Sequence, residues 1–252
     1  MCGRYAATLS PELMTELFNL LRSVDMPARF NIKPTDPILA IRNSRSQGGR
    51  VAEAFRWGLI PPWVKDLKGF PVLINARADG VTEKPAFRNA MKSQRCVIPA
   101  DGYFEWMVGP DGKKYPYFIT LKANEPMAFA GLYSSWRAPD GESIPSATIV
   151  TVDPNLDISG LHDRMPAILT GDAIEAWLNT ADVPPAEAVT LAKAPPPGTM
   201  RYHIVTKEVG KVDAEGEHLI RPLTPEEAEA EGGSRRPTSR KKAAGSGQLD
   251  LF

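Results

Sequence analysis

The chain opens Met1-Cys2-Gly3-Arg4-Tyr5, and a cysteine in second place offers chemistry closed to an internal one. Aminopeptidases that trim the initiator methionine act when the next residue is small. The expected mature chain therefore begins at Cys2, with an α-amine and a thiol two carbons apart. The amine condenses with an aldehyde to an imine, and the thiol closes on that imine to give a five-membered thiazolidine. A lysine stops at the hydrolysable imine. An α-amine titrates at about 7.7–8.0, so part of it is neutral and nucleophilic at cellular pH. The competing reading is that Cys2 is merely the residue after the start.

Four further segments carry chemistry-bearing types. In Phe55-Arg56-Trp57-Gly58-Leu59-Ile60-Pro61-Pro62-Trp63 an aromatic strand runs into a proline-rich turn. Trp63 there is either core filler or a platform for a stacked base, worth about 1–3 kcal/mol per base. In Ile74-Asn75-Ala76-Arg77, Asn75 and Arg77 share one strand face and can hold a phosphate or a substrate oxygen, or are simply exposed. In Gly102-Tyr103-Phe104-Glu105-Trp106, Glu105 alternates with aromatics and shares its face with Tyr103. Desolvation there raises a carboxyl pKa and suits proton transfer near neutrality; a structural salt bridge is the alternative. His162, in Leu161-His162-Asp163-Arg164-Met165-Pro166, is the side-chain type best able to exchange a proton at pH 7, although a lone loop histidine is more often solvent-exposed than catalytic.

Other chemistries lack a signature. There is no glycine-rich phosphate loop, no G-x-S-x-G and no H-E-x-x-H. The two cysteines, Cys2 and Cys96, and the histidines His162, His203 and His218 do not fall in a metal spacing, so no metal, cofactor or disulfide framework is expected. Lys plus Arg and Asp plus Glu both number 30, so any nucleic-acid binding must come from a local patch. Arg4, Glu12 and Glu16 interrupt any leader-like run, and no apolar stretch is long enough to span a bilayer. A soluble cytoplasmic monomer is the expectation.

These residues need a frame to bring them together. Ser10-Pro11-Glu12 reads as a helix start, followed by an apolar stripe, Leu13, Met14, Phe18, Leu17 and Leu21, expected in the core. Strands are expected at 37–42, 51–57, 72–77, 95–98, 102–108, 115–121, 127–133, 147–152 and 201–207, with a hairpin at Asp111-Gly112. Short helices fit 85–92 and 171–179. The reading is one α+β domain of mostly antiparallel sheet over residues 1–222. An acidic-then-basic segment, 223–247, is expected to be a disordered linker. It ends in Gln248-Leu249-Asp250-Leu251-Phe252, whose large residues mark a candidate docking peptide.

Taken in order, MCGRYA at 1–6, FNIKP at 30–34, FRWGLIPPW at 55–63, INARAD at 74–79, RCVIPADGYFEW at 95–106, IVT at 149–151 and LHDRMPAIL at 161–169 resemble the SRAP domain family (SOS response-associated peptidase), which includes abasic-site-shielding proteins of bacteria and animals. The resemblance implies that Cys2 crosslinks to the ring-opened aldehyde of an abasic site in single-stranded DNA, with reversal assisted by His162 and an abasic-lyase-like activity beside the crosslinking. It implies that Asn75 orients the N-terminal residue and the opened sugar, that Glu105 positions the amine and transfers protons, and that His162 serves the deoxyribose oxygen. Arg4, Arg77, Trp106 and Thr151 would line the DNA groove, with Pro34 and Trp63 where the strand bends. Some members carry a second aromatic at Val64 and a basic residue at Pro85; here Lys84 or Arg88 can supply the charge. The final pentapeptide is similar to the clamp-binding motif of bacterial polymerases and repair proteins, which implies a sliding-clamp partner and a nucleoid location. A cysteine autopeptidase and a non-enzymatic clamp adaptor are the alternative readings.

Overall fold

The computed structural model describes residues 2–44 and 46–231, and the fold is two packed sheets with short helices on one outer face. The first sheet has the order β13(Met200–Ile204), β8(Lys114–Leu121), β7(Gly102–Val108), β1(Arg4–Ala7), β2(Arg29–Ile32). All its neighbours are antiparallel. The second runs β11(Met165–Pro166), β10(Ser143–Val152), β4(Gly49–Trp57), β3(Pro37–Ser44), β6(Arg95–Ala100), β9(Met127–Arg137), β12(Ile168–Leu169). In it β9 also pairs with β10, so β10, β4, β3, β6 and β9 close into a ring. The short β5(Asn75–Arg77) lies parallel to β10, as does the end of β4.

Period-two alternation explains both layers. Ile38 and Ala40, Cys96 and Ile98, Phe129, and Ala147 and Ile149 point inward to meet Tyr5, Ile32, Tyr103 and Ile119 of the first sheet. Their neighbours Leu39, Ile41, Val97, Ala130 and Val150 point outward, under α1(Pro11–Phe18), α2(Arg88–Ser93), α3(Asp172–Leu178) and α4(Pro185–Leu191). At the start of β7, a Cβ on Gly102 would stand 2.5 Å from the Ile119 carbonyl oxygen, so only glycine lets β7 and β8 close up there.

Every expected strand segment contains a strand, although 72–77 contracts to β5 and 201–207 to β13. The strands β1, β2, β11 and β12 and the helix α4 are additions. Helix α1 begins as read, with Ser10 Oγ accepting from the Leu13 N–H at 3.2 Å. The apolar stripe, however, divides. Met14 and Phe18 are buried, whereas Leu13, Leu17 and Leu21 are 42%, 48% and 52% exposed. A helix of two turns on a sheet covers one i, i+4 row; the adjoining row lies about 100° round and faces out.

Order also continues past the expected boundary at 222. Thr224 caps α5(Pro225–Ala230), with a reciprocal bond between the Thr224 N–H and Glu227. Glu231 accepts from the Lys207 backbone N–H at 2.7 Å. The start of the expected linker, 223–231, is therefore a docked, capped helix. The remainder of the linker and Gln248–Phe252 lie outside the described residues.

Candidate active site

Strand β1 lies between β2 and β7, and its register with β7 pairs Arg4 with Phe104 and Tyr5 with Tyr103. Continued one step, that antiparallel register carries the chain before Arg4 alongside Glu105. Cys2 is fully buried among the residues between the sheets. Its carbonyl accepts from Asn75 Nδ2 at 2.8 Å. That bond also fixes the Asn75 amide, since only the NH₂ end can face a carbonyl. The amide oxygen is left buried without a partner among the described residues. Asn75 is held there because β5 pairs with β10, Asn75 opposite Ile149 and Arg77 opposite Thr151.

Glu105 is 4% exposed. Burial, ahead of the charge of Asp163, raises its carboxyl to about 7, so near neutrality it can both take and give a proton. His162 Nε2 lies 3.6 Å from Glu105 Oε2. The other ring nitrogen, Nδ1, lies 3.0 Å from the Arg164 backbone nitrogen and 3.2 Å from the Arg164 carbonyl oxygen, so the tautomer decides whether it accepts from the one or donates to the other. An Asp163 carboxylate oxygen also stands 3.0 Å from Nδ1, placed to accept a hydrogen bond whenever that nitrogen carries a proton. Burial, first among the causes, lowers the His162 pKa, so the neutral form prevails at pH 7. The loop is anchored by Arg164, which gives one nitrogen to Asp153 at 2.6 Å and another to the Thr151 carbonyl at 2.8 Å. The Cys2 thiol itself is pushed well above its usual range, by burial first and the Glu105 charge second.

Four residues from distant parts of the chain, Cys2, Asn75, Glu105 and His162, thus converge. The residues expected to line a groove divide. Arg77 is exposed, and the Thr151 hydroxyl beside it is buried without a partner among the described residues. Trp63 is 54% exposed, its indole N–H 3.4 Å from the Pro85 carbonyl, and Pro34 sits on a turn where the Thr35 N–H bonds the Trp57 carbonyl. Val64 is buried instead, its carbonyl taken by Trp136, while Lys84 and Arg88 are exposed. Arg4 and Trp106, by the alternation of β1 and β7, lie on the opposite face of the first sheet from Tyr103 and Glu105. Arg4 spends its guanidinium on Asn31 and the carbonyls of Val209, Gly210 and Lys211. Trp106 packs with Phe104 and Phe118. Sequence reasoning missed Arg164; the one signal for it was its place in the polar run after His162.

The chain belongs to the SOS response associated peptidase (SRAP) family, whose profile matches residues 1–212. It is 41% identical over 188 residues to the abasic site processing protein YoqW of Bacillus subtilis, covering 73% of this chain and 83% of that one. It is 33% identical over 230 residues to the abasic site processing protein HMCES of Gallus gallus, covering 79% and 68%. A crystal structure of a protein from Bacteroides thetaiotaomicron superposes with a TM-score of 0.78 at 26% identity, over 88% of this chain and all of that one.

Proposed function

We propose that this chain, whose relatives are abasic site processing proteins, processes abasic sites in single-stranded DNA by joining them covalently to Cys2 once Met1 is removed. The observation that carries the reading is the convergence of a second-position cysteine, clamped by Asn75 at 2.8 Å, with a buried carboxyl poised near neutrality and a neutral histidine 3.6 Å from it. The Cys2 α-amine attacks the aldehyde carbon of the opened sugar, and water leaves as the imine forms. The thiol then adds to the imine carbon, and its proton ends on the nitrogen. Glu105 carries protons between amine, carbinol oxygen and thiol. His162 exchanges a proton with the sugar oxygen as the ring opens, and again on reversal. Arg77, Trp63 and Thr151 hold the strand.

The second reading is a cysteine peptidase, in which Cys2, Glu105 and His162 would serve hydrolysis. The test is a denaturing gel and intact mass after mixing the protein with single-stranded DNA containing one abasic site. The expected product is a heat-stable adduct formed by a chain lacking Met1, abolished in Cys2→Ala. A heat-stable adduct from Cys2→Ala discards the assignment. Cleavage of a peptide without an adduct favours the peptidase, and neither product favours the clamp adaptor.

A further inference from the structure

Tyr103 is fully buried, and its hydroxyl has no hydrogen-bond partner among the described residues. A buried hydroxyl left unpaired costs stability. The ring needs no oxygen to pack: it meets Phe129 edge-on at 6.1 Å, as a phenylalanine would. The oxygen therefore has a use outside packing, and its surroundings indicate which. Tyr103 stands two residues before Glu105 on the same face of β7, opposite Tyr5 of the strand that Cys2 leads into, and it shares one buried cluster with Cys2. Burial, then the charges of Cys2 and Glu105, raise its own pKa, so it keeps its proton and can donate it in a hydrogen bond.

We propose that the Tyr103 hydroxyl is the hydrogen-bond donor that supports the Cys2 sulfur as it closes the thiazolidine, making Tyr103 a further catalytic residue. The inference rests on the covalent reading above. In the closing step the S–H bond breaks and the S–C bond forms. The C=N π pair becomes a nitrogen lone pair, and the thiol proton reaches that nitrogen through Glu105. Negative charge gathers on sulfur before the new bond is complete, in a site that excludes water. Asn75 and Glu105 are committed to the carbonyl and to proton transfer. Tyr103 supplies a neutral donor that lends no proton permanently, so the step balances without it.

The test separates the two bond-forming steps in wild type and Tyr103→Phe, using abasic single-stranded DNA. Borohydride quenching at timed intervals traps the imine, and heat stability reports the closed ring. The ratio of closure rate to imine-formation rate is the deciding quantity, since a folding defect lowers both together. The expected result is a ratio reduced about 10- to 100-fold, the worth of one hydrogen bond to a charged atom. The trappable imine should accumulate, and the melting temperature should equal or exceed that of wild type. A ratio within twofold of wild type overturns the role of Tyr103 and leaves the covalent reading intact. Failure of the wild-type protein to form any adduct overturns both.

Discussion

Glu105 carries a pH signature that can be read without DNA. The folded carboxyl holds its proton up to about 7, against 4.5 for an ordinary glutamate. The folded chain therefore binds more protons than the unfolded chain between those values, and stability falls as pH rises through that window. The contribution is fully present below about pH 4.5 and lost above about pH 7. Glu105→Gln, which cannot ionise, is expected to gain melting temperature relative to wild type as pH goes from 4.5 to 7.5, with no further gain above. A difference constant across that range contradicts the raised carboxyl. The same variant is expected to slow crosslinking or its reversal by roughly 10²–10⁴-fold, the worth of one placed proton-transfer group. His162→Ala is expected to impair ring opening and release most. Formation and reversal rates within twofold of wild type for both variants remove these roles. Cys2, Glu105 and His162 could be singled out by residue type, but each type alone left a structural alternative open, and the grouping of the three with Asn75 came from the resemblance. Arg4 and Trp106 were harder, because which face of a strand looks onto the site depends on the sheet packed against it.

At the scale of elements, Arg95 ties the outer helices to the sheet. Its buried guanidinium bonds the carbonyls of Trp177, Met91, Asn179 and Val183 at 2.6, 3.0, 2.8 and 2.8 Å. Arg95→Ala strands several of these acceptors and is expected to cost about 3 kcal/mol in denaturant melts. Adduct formation by the folded fraction should be unchanged, because the helices pack on the outward face and the site opens elsewhere. A loss below about 0.5 kcal/mol, the scale of an ordinary surface change, contradicts this role. The strands of the sandwich were legible from alternation and turn residues such as Asp111-Gly112. The brief β1 and β2 were not, since residues such as Arg4-Tyr5-Ala6-Ala7 give no periodic signal. The ring closed by β9 on β10 leaves no local mark at all, because pairing between strands is a property of the whole sheet.

For the whole molecule, a formal net charge of zero sets the form of DNA binding. Few phosphates are neutralised, so affinity for intact strands should be weak, with a salt slope of at most about 0.7 per contacted phosphate. Arg77→Ala and Trp63→Ala are expected to weaken binding without altering the intrinsic reactivity of Cys2. Tight, salt-insensitive binding to duplex contradicts this picture. Docking of Gln248-Leu249-Asp250-Leu251-Phe252 on the bacterial sliding clamp is a separate proposal, carried by the sequence motif. Removing 248–252 is expected to abolish a roughly micromolar affinity, about −8 kcal/mol, in a titration with purified clamp. Equal binding with and without the peptide rejects it, and adduct formation is expected to be the same in both proteins.

The full burial of Cys2 has a consequence for biosynthesis. Ribosomes add about 5–20 residues per second, and some 160 residues separate Cys2 from His162. A growing chain thus presents its aminothiol for roughly 10–30 s before the walls that enclose it have been made. On the covalent reading, burial slows small metabolic aldehydes in the finished fold, and the same aldehydes would cap the nascent terminus in that interval. A chain capped in that way would carry a mass increment on its first residue and could not form the crosslink. On that reading the active share of the protein would be set at synthesis and fall as the aldehyde load of the cell rises.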